Sequence, residues 1–314
     1  MIARRPGPLK DEYYLTVQNY IAMSTTSPIT GRYVKQLREA GHLREASCAW
    51  AALALLGQRT LVTSSQAKLD LARKQGLGWL NIGLTLAPAG ECAWAFKDRF
   101  TACLNATAGC MPACVGKGGH GRSRKDGGMQ DHGYVARCGR TIAWAYDADR
   151  FEYLLIQEVR TQERNADYVG LKVAFRGDIA SDWQVLSSKV ALATFVKAYG
   201  YTKRRETLDW KDGVVRVLSR SERNDDLVMD ALACGHNAAV VFDVKKNQLP
   251  QTWRGFPVIN GDLHDLWFLH LKDEPTIVGL SLKGNRLEKS IARAKGFAVK
   301  PEPFTKTTCI QGAA

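Results

Sequence analysis

Strand-like and helix-like segments alternate along the chain from Gly78 onward, and this alternation constrains the fold more than any other feature. Short apolar runs such as 171–176 and 214–218 end in polar residues and alternate with helical patterns such as 140–161 and 185–198. The alternation indicates a parallel sheet, because parallel strands are joined by crossovers that are usually helices. Six or seven such strands favour an α/β fold of the (β/α) TIM-like barrel type, closed or incomplete. An open doubly wound sheet is the alternative, although no glycine-rich phosphate fingerprint follows the first strand.

The amino-terminal quarter of the chain has a different pattern. Residues 33–61 have a helical pattern, and a further short helix is expected to stop at Gly76. Residues 1–76 are therefore predicted to form an extension and a helical appendage. The barrel domain is expected to occupy 77–314 and to carry a cysteine- and glycine-rich loop at 91–133.

The charge balance favours a polyanionic partner. Lys and Arg number 44 against 31 Asp and Glu, a formal net charge of +13, and nucleic acid is the commonest partner of so basic a chain. The first residues lack the apolar run of a signal peptide, and the longest apolar stretch, 49–57, is too short to span a membrane. We therefore expect a cytosolic protein that binds DNA and no membrane. In that compartment its eight cysteines are expected to be metal ligands or free thiols.

Three cysteines fall within twelve positions of the glycine-rich loop, at Cys103, Cys110 and Cys114. Three thiolates on one loop can converge on a single metal, as in zinc and iron–sulfur sites. Zinc is the predicted cofactor, and an iron–sulfur cluster is the alternative. The fourth ligand is expected to be Cys138, His120 or His132. Without one of these, a coordination position stays open for substrate, and the contrasting interpretation is three reduced thiols without metal.

Basic residues are predicted to contact a phosphate backbone at two places. Four of them lie in the glycine-rich loop, where they are either a nucleic-acid contact or a solvated run of charge: Lys117, Arg122, Arg124 and Lys125. Three more follow predicted strands and are expected to contact nucleic acid near the active site: Arg176, Arg220 and Lys283.

Polar residues at the ends of predicted strands are the catalytic candidates. In a barrel, residues that directly follow the strands line the active site. These positions hold Asp178, Lys203, Asp262, His264 and Asp265. Carboxylates with a histidine and a lysine suit acid–base or nucleophilic chemistry on a phosphate-bearing substrate. Any single one of them could instead be a helix cap or a salt-bridge partner.

From about Gly78 to Phe297 the sequence resembles a phage-encoded family described as gene-product-88-like. The resemblance rests on LNIGLTLAP at 80–88, the three-cysteine run and RCGRT at 137–141. It continues through the Arg176-Gly-Asp178 strand end, SRSERND at 219–225 and the long segment TWRGFPVINGDLHD at 252–265. One departure is Leu104, which stands where the relatives carry proline.

The resemblance implies an activity as well as a family. Some relatives look like phage DNA transglycosylases that exchange guanine for a 7-deazaguanine base and are related to tRNA-guanine transglycosylase. For this chain it implies a glycosyltransferase whose substrates are DNA and a free 7-deazaguanine base. Asp178 and Asp262 are then the nucleophile and the general base, in an order that the resemblance does not assign.

Two other functions fit the same residues. The three cysteines could hold an iron–sulfur cluster with one open iron, in a radical-type enzyme acting on nucleic acid or a nucleotide. Their spacing, with six and then three intervening residues, differs from the three-then-two spacing usual in such enzymes. The third interpretation is a non-catalytic, zinc-stabilised protein that binds nucleic acid.

Overall fold

The computed structural model describes residues 60–64, 67–91, 101–114, 132–146, 148–245 and 247–301. Most of the predicted appendage therefore lies outside the described residues. So do four predicted nucleic-acid contacts, Lys117, Arg122, Arg124 and Lys125.

Within the described residues, nine strands form one mixed sheet in the order β1-β2-β3-β4-β5-β6-β9-β8-β7. The strands are β1 (Val62–Thr63), β2 (Trp79–Leu84), β3 (Lys172–Arg176), β4 (Lys197–Thr202), β5 (Val215–Ser219), β6 (Ala238–Phe242), β7 (Thr252–Trp253), β8 (Phe256–Asn260) and β9 (Ile277–Ser281). The seven strands from β2 to β8 in this order pair in parallel, as the alternating pattern predicts.

The predicted barrel, closed or incomplete, is not confirmed, because in the described part of the chain no pairing joins the two ends of the sheet. Each end carries a two-residue antiparallel strand, β1 on β2 and β7 on β8. These short strands occupy the hydrogen-bonding edges that β2 and β8 would need in order to pair with each other. The mixed α/β class with a parallel sheet is confirmed. Neighbouring order from β2 to β6 follows the chain, as it does in a barrel.

The sheet curls strongly although it stays open. Trp79 begins β2, near one end of the sheet, and its ring packs edge-on against Phe268, which follows β8 near the other end, with 5.7 Å between ring centroids. Arg176 at the end of β3 also forms an ion pair with Asp265, which follows β8. The inner face of the sheet is therefore a concave surface on which distant strands approach one another.

Among the described residues there are six α-helices and two 3₁₀ turns. The helices are α1 (Ala67–Lys74), α2 (His132–Tyr146), α3 (Ala148–Tyr168), α4 (Val185–Ala193), α5 (Asp225–Ala233) and α6 (Arg286–Ala294), and the 3₁₀ turns are Arg205–Asp209 and Trp267–His270. The single helix predicted over 140–161 is in fact parts of α2 and α3. Asp149 in the first turn of α3 favours a helix start there, because a carboxylate stabilises the positive end of the helix dipole.

The outer face of the sheet carries most of the hydrophobic core. Helices α2, α3 and α4 cover β2 and β3 with a large cluster that includes Ile142, Phe151, Leu155 and Phe175. Helix α5 covers β5, β6 and β9 with a second cluster. Strands such as β6, with the sequence AAVVF, are apolar along their whole length because both faces of a parallel sheet are covered.

The inner face is filled by the turn at 267–270 and by α1. Trp267 and Tyr199 are fully buried here and their rings pack edge-on, with 5.7 Å between centroids. Val217 and Val278 of neighbouring strands belong to the same cluster. This packing fills the lower part of the concave surface and leaves the carboxyl ends of the strands open above it.

Candidate functional site

A cavity of about 300 Å³ lies at the carboxyl ends of the parallel strands. Its lining includes the cysteines Cys103, Cys110 and Cys114 and the strand-end residues Arg176, Asp178, Tyr201, Lys203, Ser219, Asp265, Ser281 and Lys283. The sequence thus predicted correctly that polar residues after different strands meet at one end of the sheet. That end is where parallel α/β folds place their active sites.

The cysteine loop is held over this cavity by residues that follow β3 and β5. The backbone N–H of Asp182 donates to the carbonyl of Ala102 at 2.9 Å, beside a β-bridge between Cys103 and Asp182. Glu222 accepts a 2.7 Å hydrogen bond from the N–H of Gly109 and a 2.9 Å hydrogen bond from the hydroxyl of Thr107. The loop is therefore docked on the sheet by contacts that involve no metal.

Asp182 and Glu222 were not among the residues predicted from the sequence. Glu222 lies three residues beyond the end of β5, in the run SRSERND. Its position after a strand was the one sequence signal that could have marked it as a site residue. Asp182 follows β3 by six residues and accepts hydrogen bonds from the N–H of Lys203 and from the amide of Gln184. Burial is the main reason that the pKa of Asp182 is raised.

The three cysteine thiols line one cavity but are not arranged as a metal site. In the described residues, no group of three or more His, Cys, Asp or Glu side chains is arranged to hold a metal ion. Burial raises the pKa of the Cys103 thiol to about 12, and nearby Lys203 lowers it only in part. Cys110 accepts a hydrogen bond from the N–H of Thr107 and donates to its carbonyl. Binding a metal would require the thiols to lose their protons and draw together.

Cys138, one of the candidates for the fourth ligand, does not line the cavity with the other three cysteines. It is buried in α2, its Sγ is 3.9 Å from the carbonyl of Glu91, and it is not part of the cavity wall. His120 and the side chain of His132 lie outside the described part of the chain. The structure thus brings together three of the predicted sulfur ligands.

Lys203 places an ammonium group beside these thiols. Burial by itself would lower its pKa, but Cys110, Cys103 and Asp182 outweigh burial and raise it. The side chain is therefore a cation at neutral pH. Lys203 lines the same cavity as the three cysteines. Its position after a predicted strand therefore pointed to the correct part of the structure.

Asp178 is buried and engaged in a local network at the start of α4. Its Oδ1 accepts from the hydroxyl of Ser181 and the N–H of Trp183, both at 2.8 Å. Its Oδ2 accepts from the N–H of Gln184 at 3.1 Å and from the hydroxyl of Ser187 at 3.4 Å. Gln184 precedes α4 with φ of 60° and no side-chain cap of its own, so Asp178 supplies the capping acceptor.

Asp265 and Arg176 form a buried pair across the curl of the sheet. Nη1 of Arg176 lies 2.8 Å from both carboxylate oxygens, and the Tyr199 hydroxyl donates to Asp265 at 3.0 Å. The guanidinium also lies over the ring of Tyr201, 4.8 Å from its centroid. Arg176, predicted to contact nucleic acid, is thus engaged with protein groups at the floor of the cavity.

Asp262 is an ionised carboxylate at the margin of the cavity. Its Oδ2 accepts from the N–H of Ser281 at 2.7 Å and from the Ser281 hydroxyl at 2.6 Å, and Nζ of Lys283 lies 3.0 Å from Oδ1. Burial would raise the pKa of Asp262, but the Ser281 hydroxyl and Lys283 outweigh it and lower the pKa. Two of its partners, Ser281 and Lys283, line the cavity.

The two remaining predicted residues make structural contacts. Arg220 forms an ion pair with Asp225 and donates to the carbonyls of Gly296 and Phe297, which ties the end of β5 to the segment after α6. His264 is buried; its Nδ1 accepts from the N–H of Leu266, and its Nε2 is 2.8 Å from Nε2 of His270.

Comparison with protein families decides the kinship of the chain. The family model described as Gene product 88 matches residues 58–300, which include all the described strands and the three cavity cysteines. The chain belongs to the Gene product 88 family. The resemblance to a phage-encoded family is thereby confirmed, whereas its extension to DNA transglycosylases has no support from the Gene product 88 match. Searches of curated proteins and of solved structures returned no match. No helix in the described ranges is both long and apolar enough to cross a membrane.

Proposed function

We propose that this protein is an enzyme that works at a metal centre held by Cys103, Cys110 and Cys114 and acts on a nucleotide or nucleic acid. One observation carries the proposal: three thiols and the ammonium of Lys203 line a single cavity at the carboxyl ends of parallel strands. Sulfur ligands on a loop favour zinc or iron–sulfur, while the basic chain favours a substrate that carries phosphate.

The number of thiols favours an iron–sulfur cluster over structural zinc. Structural zinc sites take four protein ligands, and among the described residues the fourth candidate, Cys138, does not line the cavity with the other three cysteines. With three thiolates as its protein ligands, a bound cluster would keep one iron without a protein ligand, available to a substrate or cofactor. When bound, such a cluster would supply one-electron chemistry to that ligand. Zinc, the cofactor predicted from the sequence, is the alternative centre.

The chain's own residues would position this chemistry. Glu222 and the backbone of Asp182 hold the cysteine loop over the strands. Lys203 presents a positive charge beside the thiols, which offsets part of the rise that burial causes in the pKa of Cys103. The aromatic and apolar floor at Tyr199 and Trp267 excludes water from below.

Metal analysis tests the proposal. The full chain, purified without oxygen, would be reconstituted with iron and sulfide or with zinc, and its iron, acid-labile sulfide and zinc would be measured. We expect bound iron and sulfide that are lost in Cys110→Ser and kept in Cys138→Ser. Cys234→Ser is the matched control, because Cys234 is exposed and far along the chain from the loop. Equal metal content in Cys110→Ser and wild type would rule the site out. Loss of bound zinc in Cys138→Ser would indicate a four-cysteine zinc site, and loss of iron and sulfide there would indicate a four-cysteine cluster.

A second candidate, the DNA transglycosylase, is favoured by the geometry of Asp262. Its carboxylate is held ionised beside Ser281 and Lys283 at the cavity margin, as a nucleophile requires. In this proposal Asp262 bonds to C1′ of the sugar and guanine leaves with a proton. The incoming 7-deazaguanine base then displaces the carboxylate and gives up a proton, so the enzyme is regenerated.

Mass spectrometry of nucleosides tests this second candidate. DNA would be incubated with the protein and a 7-deazaguanine base, and the digested nucleosides analysed. A modified deoxynucleoside that disappears in Asp262→Asn but persists in Asp273→Asn, an exposed control, would support base exchange. A modified nucleoside still formed by Asp262→Asn would remove Asp262 as nucleophile. DNA that binds tightly but stays unmodified would favour the non-catalytic binding protein.

A further inference from the structure

Three polar side chains at the ends of β4 and β5 face the cavity together. Tyr201 and Lys203 are two residues apart, so they lie on the same side of the extended chain. Tyr201 pairs with Val217 and Thr202 with Leu218 in the parallel register, which brings Lys203 beside Ser219. All three of these polar residues line the cavity. The arrangement presents one ammonium and two hydroxyl groups from adjacent strands to the same space.

These three groups have unused hydrogen-bonding capacity. In the described parts of the chain, the ammonium of Lys203 has no hydrogen bond or ion pair, and its backbone N–H is its one hydrogen-bond donor in use. The hydroxyl of Tyr201 is buried without a partner. The described residues likewise provide no partner for the hydroxyl of Ser219, whose carbonyl accepts from Asn224. Buried polar groups in native proteins are nearly always paired, so unpaired ones that line a cavity indicate a missing ligand.

The other cations of the cavity are already neutralised. Arg176 is paired with Asp265, and Lys283 is paired with Asp262. The carboxylate of Asp182 also lines the cavity near Lys203, but among the described residues Lys203 is the cavity cation that has no ion pair. An anion in the cavity would pair with this ammonium, and the two hydroxyls would supply further donors to its oxygens.

We propose that Lys203, Tyr201 and Ser219 form a binding site for the terminal phosphate of a small ligand such as a mononucleotide. Three donors from two strands match the three terminal oxygens of a phosphate, and lysine binds phosphate as a point charge. The site deepens the proposed function, because a nucleotide anchored here would lie beside the cysteine loop. Its role in that reaction rests on the proposed function, but the binding of phosphate does not.

Calorimetric titration tests the site with defined probes. Inorganic phosphate, deoxyguanosine monophosphate, deoxyguanosine and acetate would each be titrated into the full chain, with and without reconstituted metal. We expect the two phosphate compounds to bind and to bind about tenfold or more weakly to Lys203→Gln, the effect of losing a charge-assisted hydrogen bond. Tyr201→Phe should weaken the same probes by a smaller factor. Lys197→Gln is the matched control, since Lys197 is exposed at the other end of β4.

The outcomes separate this site from the metal centre. Unchanged phosphate affinity in Lys203→Gln would overturn the proposal, provided that circular dichroism shows a folded chain. Lys203→Arg, which keeps the positive charge, serves as the conservative variant. Acetate that binds as tightly as phosphate would overturn the assignment to phosphate. Phosphate binding that depends on Lys203 in a chain that takes up no metal would uphold this site and refute the proposed function. Metal uptake without phosphate binding would refute this phosphate site and leave the proposed metal centre standing.

Discussion

Replacing Asp178 by asparagine should destabilise the protein, because both carboxylate oxygens accept hydrogen bonds that hold the start of α4. An asparagine oxygen can keep the bonds from Ser181 and Trp183. Its NH₂ group would then face the buried N–H of Gln184, which is 3.1 Å from Oδ2 in the wild type. A buried donor left without an acceptor costs about 1–3 kcal/mol. The bonds that remain lose their charge assistance, which adds about 1 kcal/mol.

The expected loss is therefore about 3 kcal/mol in the free energy of unfolding, or roughly 6–12 °C in Tm for a domain of this size. Urea and thermal unfolding of Asp178→Asn measure it, with Asp273→Asn as an exposed control. A change within about 0.5 kcal/mol, the usual range for surface substitutions, would refute the capping role. Asp178 would then be free for the nucleophilic role that the family resemblance implies.

Three further predictions concern the loop, the sheet and the acid limit of stability. Glu222→Gln should weaken metal binding about tenfold, because one of the two hydrogen bonds that Glu222 accepts from the cysteine loop is lost; unchanged affinity in a chelator competition would contradict this. Gly83→Ala should cost about 1–3 kcal/mol in urea unfolding, because a Cβ there would lie 2.4 Å from Cδ1 of Ile179; wild-type stability would show that Ile179 moves aside freely. The pKa of Asp212 is lowered below its ordinary value of 3.8, because hydrogen bonds from Arg216 and Ser188 outweigh burial. The contribution of Asp212 to the free energy of unfolding is therefore complete above pH 3.8 and is lost as the pH falls through the folded pKa. Urea midpoints should therefore drop on going from about pH 5 to pH 3, and less in Asp212→Asn; equal drops would contradict the assignment.

The parallel sheet could be predicted from the sequence, whereas its closure could not. Strand β6, for example, is an apolar run of five residues bounded by Asn237 and Asp243, so its pattern is clear. The strands that end the sheet, β1 and β7, are two residues each, which is too short for any pattern of alternation. Because these two strands decide whether the sheet is open, the sequence could not distinguish a curled open sheet from a barrel.

The location of the site could be predicted, but the roles of its residues depend on partners distant in sequence. Arg176 pairs with Asp265, which is 89 positions away in the sequence, and Gly109 of the cysteine loop donates a hydrogen bond to Glu222, which is 113 positions away. A strand-end carboxylate that will be a nucleophile and one that will neutralise an arginine have the same local sequence signal. Pairing is set by the curl of the sheet, which local patterns do not encode.

The buried charges divide the site into a scaffold and a reactive part. A carboxylate inside a curled sheet must be hydrogen-bonded or paired, since an isolated buried charge is strongly unfavourable. Asp178 meets this requirement through α4 and Asp265 through Arg176, so both are engaged before any ligand arrives. Lys203 lies near Asp182 but has no ion pair within the described chain, and burial raises the pKa of the Cys103 thiol, which must lose its proton before it binds metal. An anion would pair with Lys203 and a metal with the thiols, which is why we assign chemistry to the cysteines and Lys203 before the two aspartates.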